Sequence, residues 1–174
     1  MALAVCLLFD PRSERLIRDL WSRLEDAGIA TLATHTHRRH HPHLSYVVLR
    51  SWDLDRVQSA LASLPEAEPF EMTFHGTVAF PRGRAALAPA VTADTAVRQW
   101  RVATALEATG AELHRNYRSG HWVPHVSVAT RAQGAGLATV VKAVADVLPM
   151  TVRVDRAALV DSGTGRTWPL PHLL

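Results

Sequence analysis

A short motif that occurs twice constrains this chain more than any other feature. Pro42-His43-Leu44-Ser45 and Pro124-His125-Val126-Ser127 share a proline, a histidine, an aliphatic residue and a serine, and each runs into β-favouring residues. In a β-strand alternate side chains point to one face, so the histidine and serine of each copy project together while the aliphatic residue between them turns to the core. Two such strands facing each other would form a site with two imidazoles and two hydroxyls.

Apolar periodicity and turn residues predict strands and helices throughout the chain. The predicted strands cover 2–9, 44–49, 70–80, 85–91, 126–130, 150–160 and 166–170, and the predicted helices cover 12–27, 53–64, 94–109 and 136–148. A bulge is expected at Gly76, the segment 29–36 is either a strand or an approach loop, and 111–120 is a polar connection.

The two halves of the chain contain similar elements, though in different order. Each has a strand, a helix, a motif strand, a second helix and a hairpin. This predicts an α+β fold with two pseudo-symmetric lobes, whose antiparallel sheets form a central cleft and whose helices cover the outer faces. With 174 residues, we expect a single two-lobed domain over 1–174.

The apolar beginning of the chain is interpreted as a buried strand and not as an export signal. It lacks a basic segment before it and runs directly into Asp10-Pro11. Cys6 is the single cysteine, so an internal disulfide is excluded, and no apolar run is long enough to span a bilayer. We therefore expect a cytoplasmic protein without membrane association, and we expect a monomer.

The charge of the chain leaves two interpretations open. A formal charge of +3 and a pI of about 9.7 fit either an ordinary arginine-rich surface or a positive field that attracts an anion such as a phosphate ester or RNA. The densest polar cluster lies just before the first motif. Its spacing fits no zinc-ligand pattern, so a basic loop that touches an anion competes with a metal site formed by His35, His37, His40 and His41.

The paired motifs suit phosphodiester chemistry. An imidazole titrates near neutral pH, so two opposed histidines can act as general base and general acid on the attacking and leaving oxygens. Two serine hydroxyls can donate hydrogen bonds to the non-bridging phosphate oxygens. Such a site needs no metal. A single histidine and serine two residues apart would more often be a buried, satisfied pair, and it is the repetition that favours a functional site.

The sequence resembles a known family at these residues. The two His-aliphatic-Ser motifs, the PHVSVA context of the second copy and the FHGTVAFPRGR hairpin between them are similar to the two-histidine (2H) phosphoesterase superfamily, in its 2′-5′ RNA ligase-like branch. The resemblance covers most of the chain, from the first strand to the long strand at 150–160. It implies two His-x-Thr/Ser motifs facing each other across a cleft, acting without metal or cofactor on 2′,3′-cyclic phosphates or 2′-5′ linkages of RNA and nucleotides.

The resemblance also implies roles for individual residues. His43 and His125 match the catalytic histidines, and Ser45 and Ser127 match the phosphate-binding positions, where threonine is commoner than serine. The sequence leaves open which histidine is the base. For hydrolysis of a 2′,3′-cyclic phosphate the favoured assignment is that His125 activates water and His43 protonates the leaving 3′ oxygen, with the roles exchanged in the reverse ligation.

Other residues are weaker candidates for substrate binding. Arg118 lies close to the second motif and suits a phosphate contact. Aromatic rings can stack on a nucleobase, although they more often pack in cores, and these candidates are Tyr117, His75, Trp122 and Trp168. Tyr46 should face the core instead, because it is three residues from His43 in the strand.

The sequence therefore supports more than one class of function. The first is a 2′,3′-cyclic phosphodiesterase or 2′-5′ RNA ligase-like enzyme whose partner is RNA or a nucleotide. The alternative is a catalytically quiet module that binds RNA ends or nucleotides in the same cleft. The intact pair of motifs favours the enzyme, because a binding module has no need of a second proton carrier.

Overall fold

The strands pair in an antiparallel sheet whose order differs from the chain order. The computed structural model describes residues 2–174. Its strands are β1 (Leu3–Phe9), β2 (His43–Ser51), β3 (Phe70–Phe80), β4 (Arg84–Pro89), β5 (Glu112–Leu113), β6 (Val126–Ala129), β7 (Met150–Asp161) and β8 (Thr167–Pro169). The order across the sheet is β5-β2-β1-β7-β3-β4-β6, and β8 pairs with β7.

The long strand β7 joins the two halves of the molecule. Its C-terminal part pairs with β1, from Val154 to Asp161, and its N-terminal part pairs with β3, from Met150 to Val154. The two lobes therefore share one continuous sheet, with β5, β2 and β1 on one side of β7 and β3, β4 and β6 on the other. The motif strands β2 and β6 stand far apart in this order, yet they contact each other, because the sheet curves around the cleft. The predicted α+β, two-lobed fold is confirmed.

Four α-helices accompany the sheet in the described residues. They are α1 (Pro11–Asp26), α2 (Leu54–Ala62), α3 (Ala93–Ala108) and α4 (Ala135–Ala145). Helices α1 and α4 pack together near β6, β3 and β4, while α2 and α3 pack together near β2 and β5. Each motif strand therefore packs against a helix: β6 against α1, and β2 against α3.

Local sequence explains where the helices begin. The side chain of Asp10 accepts a hydrogen bond from the Ser13 amide at 2.8 Å, and Asp53 accepts one from the Arg56 amide at 3.1 Å. Such N-caps satisfy amides that have no partner within the helix and contribute about 1 kcal/mol each. The buried residues of α1 recur every three or four positions, which places one stripe against the sheet: Ile17, Leu20, Trp21 and Leu24.

The structure departs from the sequence-based expectation mainly between α3 and β6. The segment 111–120 contains strand β5 and a 3₁₀ turn, Arg115–Tyr117, where only a connection was expected. Leu113 is 2% exposed and pairs with Leu49 at the end of β2, so a single buried apolar residue anchors this edge strand. The segment 29–36 is mostly loop, with one bridge from Ala30 to Arg131. The bulge at Gly76 is present, between Phe74 and Gly76.

Among residues 2–174, no helix combines the length and apolar character needed to cross a membrane.

Candidate active site

The ring of His43 is held in a defined orientation at the start of β2. Its Nδ1 lies 2.7 Å from the carbonyl oxygen of His41. A carbonyl oxygen only accepts, so Nδ1 carries the proton of the neutral ring and Nε2 keeps its lone pair. His43 pairs with Leu8 of β1 in the register, and Ser45 pairs with Cys6. The histidine and serine therefore share one face of β2, as predicted.

The ring of His125 is held in the same way just before β6. Its Nδ1 lies 2.8 Å from the carbonyl oxygen of Val123, two residues earlier, so this Nε2 is also left with its lone pair. The ring of Phe80 packs beside it, with 4.7 Å between ring centroids. The two motifs thus repeat a local device, a histidine that donates to the carbonyl two residues back, and not only a sequence pattern.

Burial and mutual proximity set the protonation of the two histidines. Burial lowers the pKa of His43 below its ordinary value; the hydrogen bond to His41 opposes this, and the charges of His125 and His41 lower the pKa further. Burial likewise lowers the pKa of His125, against the hydrogen bond to Val123. The charge of His125 acts on the pKa of His43, so the two imidazoles are close enough to interact. Because both pKa values are lowered, both rings are mostly neutral near neutral pH.

Each motif serine is fixed through its backbone by a tryptophan. The indole Nε1–H of Trp122 donates to the carbonyl of Ser45 at 3.0 Å, and that of Trp21 donates to the carbonyl of Ser127 at 3.0 Å. Both carbonyls lie on strand edges that are open at this point, because β5 reaches β2 only from Leu49 onward and β6 ends the sheet. The two indole N–H groups therefore satisfy carbonyl oxygens that have no partner strand, and they fix the backbone at both serines.

A tyrosine from the 3₁₀ turn lies over the first motif. The Tyr117 hydroxyl is close enough to Ser45 and Cys6 for both to act on its pKa, which burial raises to about 12. The buried amide of Gln99, on α3, donates to the carbonyls of Tyr117 and Tyr46, each at 3.1 Å. Tyr46 is the extra residue of a bulge in β2, and its carbonyl gains a partner in Gln99. Gln99 therefore ties Tyr117 to the motif strand.

The remaining candidates occupy different surroundings. Arg118 is exposed directly after Tyr117. His75 is exposed on β3, five residues from Phe80, which corresponds to about 17 Å along a strand. Trp122 packs edge-on against Tyr46 at 5.9 Å, and Trp168 lies under the guanidinium of Arg166 at 4.8 Å. The structure thus brings Tyr117 to the first motif and gives both tryptophans packing contacts, while His75 and Arg118 stay predictions.

The histidines before the first motif contact one another. The rings of His37 and His40 lie 4.1 Å apart, and His40 Nε2 is 2.8 Å from the Thr36 hydroxyl. Burial and the neighbouring histidine charges lower the pKa of His40 to about 4. In residues 2–174 no three side chains among His, Cys, Asp and Glu gather in an arrangement that could hold a metal ion.

Comparison with known families decides where the chain belongs. The family model described as the 2′-5′ RNA ligase superfamily matches residues 9–166, which include both motifs and both lobes. The chain belongs to this superfamily. No curated protein sequence is similar enough to the chain to match it.

Solved structures share the fold of this 2′-5′ RNA ligase superfamily member. Escherichia coli LigT complexed with 3′-AMP has a TM-score of 0.64 at 13% identity, covering 97% of this chain and 93% of LigT. TT0787 of Thermus thermophilus has a TM-score of 0.63 at 15% identity, covering 100% of both chains. Kluyveromyces marxianus Usb1 with uridine monophosphate has a TM-score of 0.54 at 16% identity, covering 98% and 97%. At these identities the likeness establishes the architecture.

The sequence did not predict the residues whose hydrogen bonds position the motif strands and Tyr117. Trp21 belongs to the apolar stripe of α1 and is 1% exposed, and a buried indole N–H needs a hydrogen-bond partner. Gln99 stands in the buried stripe of α3 with Thr95, Val102 and Leu106, and it is 4% exposed. A polar side chain inside such a stripe indicates a buried hydrogen bond, although it does not name the acceptor.

We expect Trp21→Phe and Trp122→Phe each to lower the free energy of unfolding by about 1–3 kcal/mol, because each leaves a partly buried carbonyl without its donor while keeping an aromatic ring. Urea unfolding followed by circular dichroism measures this. Trp100→Phe, at an indole that is 52% exposed on α3, is the matched control. Losses no larger than that of the control would show that the two indole hydrogen bonds contribute nothing.

Proposed function

We propose that this protein is a metal-independent phosphodiesterase that acts on 2′,3′-cyclic phosphate ends of RNA or nucleotides by two-histidine general acid/base catalysis. The proposal depends mainly on one observation: the rings of His43 and His125 make the same kind of hydrogen bond and leave the same nitrogen free. Each ring donates through Nδ1 to a carbonyl and keeps Nε2 for proton transfer, and the charge of His125 acts on His43. Membership of the 2′-5′ RNA ligase superfamily supports the same reaction class.

The expected reaction is attack of water on the cyclic phosphorus. Nε2 of His125 removes a proton from the water as the new P–O bond forms, and the protonated His43 gives its proton to the 3′ oxygen as the P–O3′ bond breaks. The product is a 2′-phosphate with a free 3′-hydroxyl. With an RNA 5′-hydroxyl in place of water, attack on the cyclic phosphorus and departure of the 3′ oxygen would give a 2′-5′ linkage with the same two roles. The exchange of roles expected from the sequence therefore applies to the reverse reaction, cleavage of the 2′-5′ linkage to the cyclic phosphate.

Hydroxyl groups complete the proposed site. Ser45, on the same face of β2 as His43, and Ser127, two residues after His125, donate to the non-bridging oxygens, where charge accumulates in the transition state. We expect the Tyr117 hydroxyl, which lies near Ser45, and the exposed Arg118 to contact the ribose or phosphate. Neighbours of this fold have been crystallised with nucleotides, LigT with 3′-AMP, NADP+ and ATP and Usb1 with uridine monophosphate, which supports a nucleotide-sized ligand.

Turnover of cyclic nucleotides tests the proposal. Wild-type protein, treated with a chelator, should hydrolyse 2′,3′-cyclic nucleotides or a synthetic RNA with a cyclic end, and chromatography should show a monophosphate product. Binding of these ligands without turnover would reject the enzyme and favour the nucleotide-binding module. Activity that disappears with the chelator and returns with a metal ion would reject metal independence.

The monomeric state and the cytoplasmic location remain predictions from the sequence.

We expect a bell-shaped pH profile of kcat/KM with its maximum below pH 6.5, the ordinary pKa of histidine. The reactive state carries one proton on the pair. A second proton removes the base as the pH falls, and loss of the last proton removes the acid as the pH rises; because burial lowers both pKa values, both limbs shift to lower pH. Initial rates at low substrate concentration across the pH range measure the profile. A maximum above neutrality would contradict this account of the pair.

A further inference from the structure

Three long segments of the sequence contain no acidic residues. None of the sixteen Asp and Glu residues falls within 27–52, 72–93 or 113–145, whereas every histidine except His172 does. These segments contain the strand β2, most of the hairpin of β3 and β4, and the strand β6 with its approach. Most of the cleft is therefore built from stretches without carboxylates. The acidic residues lie on α1, α2, α3 and β7, at the beginnings of β3 (Glu71) and β5 (Glu112), and in the connections between elements. Such a rim attracts anions.

The most basic part of this rim is residues 35–41, which we call the histidine–arginine loop. It is separated from His43 only by the buried Pro42. The loop is anchored at two places: the guanidinium of Arg39 donates to the carbonyl of Thr164 at 3.1 Å, and the guanidinium of Arg18, on α1, donates to the backbone carbonyl of His40 at 3.1 Å. The loop is thus attached to the body of the protein beside the catalytic histidine.

The loop keeps a strained backbone, which fits a functional role better than a passive connection. Thr36 and Arg38 have φ angles of 45° and 58°, in the left-handed region. This region costs a side chain other than glycine about 1–2 kcal/mol per residue, and such costs concentrate at functional sites. At Arg38 the unusual backbone accompanies a fully charged, exposed side chain.

Two arginines give the loop a positive charge. Arg38 and Arg39 are both exposed, and a guanidinium keeps its charge over the physiological pH range, whereas burial lowers the pKa of His40 to about 4. Within residues 2–174, Glu14 is the carboxylate that contacts the loop, and it is shared between His41 at 3.0 Å and Arg18 at 2.7 Å. The positive charge of Arg38 and Arg39 is therefore not cancelled locally.

We propose that the histidine–arginine loop binds backbone phosphates of an RNA chain that extends in the 5′ direction from the cyclic end in the cleft. This inference rests on the proposed function and narrows its substrate class to an oligoribonucleotide. A mononucleotide occupies the space around the two histidines, whereas a chain continues over the rim and gains electrostatic affinity from each phosphate that meets a cation. Arg38, five residues from His43, is the residue placed for such a contact.

The test measures binding of an RNA chain separately from the reaction at its terminal phosphate. Arg38→Asn removes the charge and suits the left-handed backbone, since asparagine tolerates that region. The probe is a fluorescent oligoribonucleotide ending in a 3′-phosphate, with affinity measured by anisotropy between roughly 50 and 200 mM salt. Arg56→Gln, at an exposed arginine on α2, is the control variant. The KM for 2′,3′-cyclic AMP is measured in parallel.

For Arg38→Asn we expect about 3–10-fold weaker binding of the oligoribonucleotide and a salt slope reduced by about one, with an unchanged KM for 2′,3′-cyclic AMP. The control should match wild type in all three measurements. Unaltered affinity and salt slope would overturn the proposal, and so would an equal rise of KM for cyclic AMP, because the loop would then act on the terminal phosphate. The anisotropy result stands whether or not the protein hydrolyses cyclic phosphates, so failure of the proposed function would be seen separately.

Discussion

Alanine in place of His43 or His125 is expected to lower kcat on a 2′,3′-cyclic nucleotide by about 10²–10⁴-fold, the usual contribution of a positioned proton carrier. The reason is structural as well as chemical. Each ring is oriented by its own carbonyl acceptor, at 2.7 Å for His43 and 2.8 Å for His125, so neither can replace the other. The double variant should be little worse than the poorer single variant, because the two groups act in one step.

The control for these variants is another histidine with a structural hydrogen bond. His172→Ala removes a ring whose Nε2 lies 3.0 Å from the carbonyl of Leu64, in the C-terminal segment, and should leave kcat unchanged. Circular dichroism shows whether each variant is folded. Full activity in folded His43→Ala or His125→Ala would contradict the two-histidine mechanism.

The second large effect is expected at the serines. Ser45→Ala and Ser127→Ala should each lower kcat by about 10²-fold with a smaller change in KM, as for removal of one donor to a developing oxyanion. The loss falls on kcat because negative charge on the non-bridging oxygens grows toward the transition state. Steady-state kinetics on a cyclic nucleotide give both parameters.

Threonine provides the matched control for the serine variants. Ser45→Thr and Ser127→Thr keep the hydroxyl on the same carbon, so they should retain most of the activity lost in the alanine variants. Ser45 also lies 3.8 Å from the thiol of Cys6, whose pKa burial raises to about 12, so a neutral thiol must accommodate the added methyl group. If alanine and threonine variants were equally active, the hydroxyls would have no part in phosphate stabilisation.

The local parts of this structure could be predicted from sequence because their signals are local. The alternation in the motif strands predicts the shared face of His43 and Ser45, and the caps at Asp10 and Asp53 mark the beginnings of α1 and α2. The repetition of the motif predicts two lobes, which the shared strand β7 then joins in one sheet.

The supports of the site were not predictable, because they depend on contacts between distant segments. Trp21 meets the carbonyl of Ser127 across 106 positions, and Trp122 meets that of Ser45 across 77. Strand β5 is two residues long, too short for a periodic signal. The strand order that brings β2 near β6 also follows from long-range pairing, which no local pattern specifies.

The most direct test of the central claim is phosphorus NMR of 2′,3′-cyclic AMP incubated with wild-type protein and a chelator. The account predicts that the cyclic phosphate signal is replaced by that of a 2′-monophosphate, and that it persists with His43→Ala and with His125→Ala. Persistence of the cyclic signal with the wild-type protein, or its conversion by either variant at the wild-type rate, would contradict the claim that these two histidines form a phosphodiesterase site.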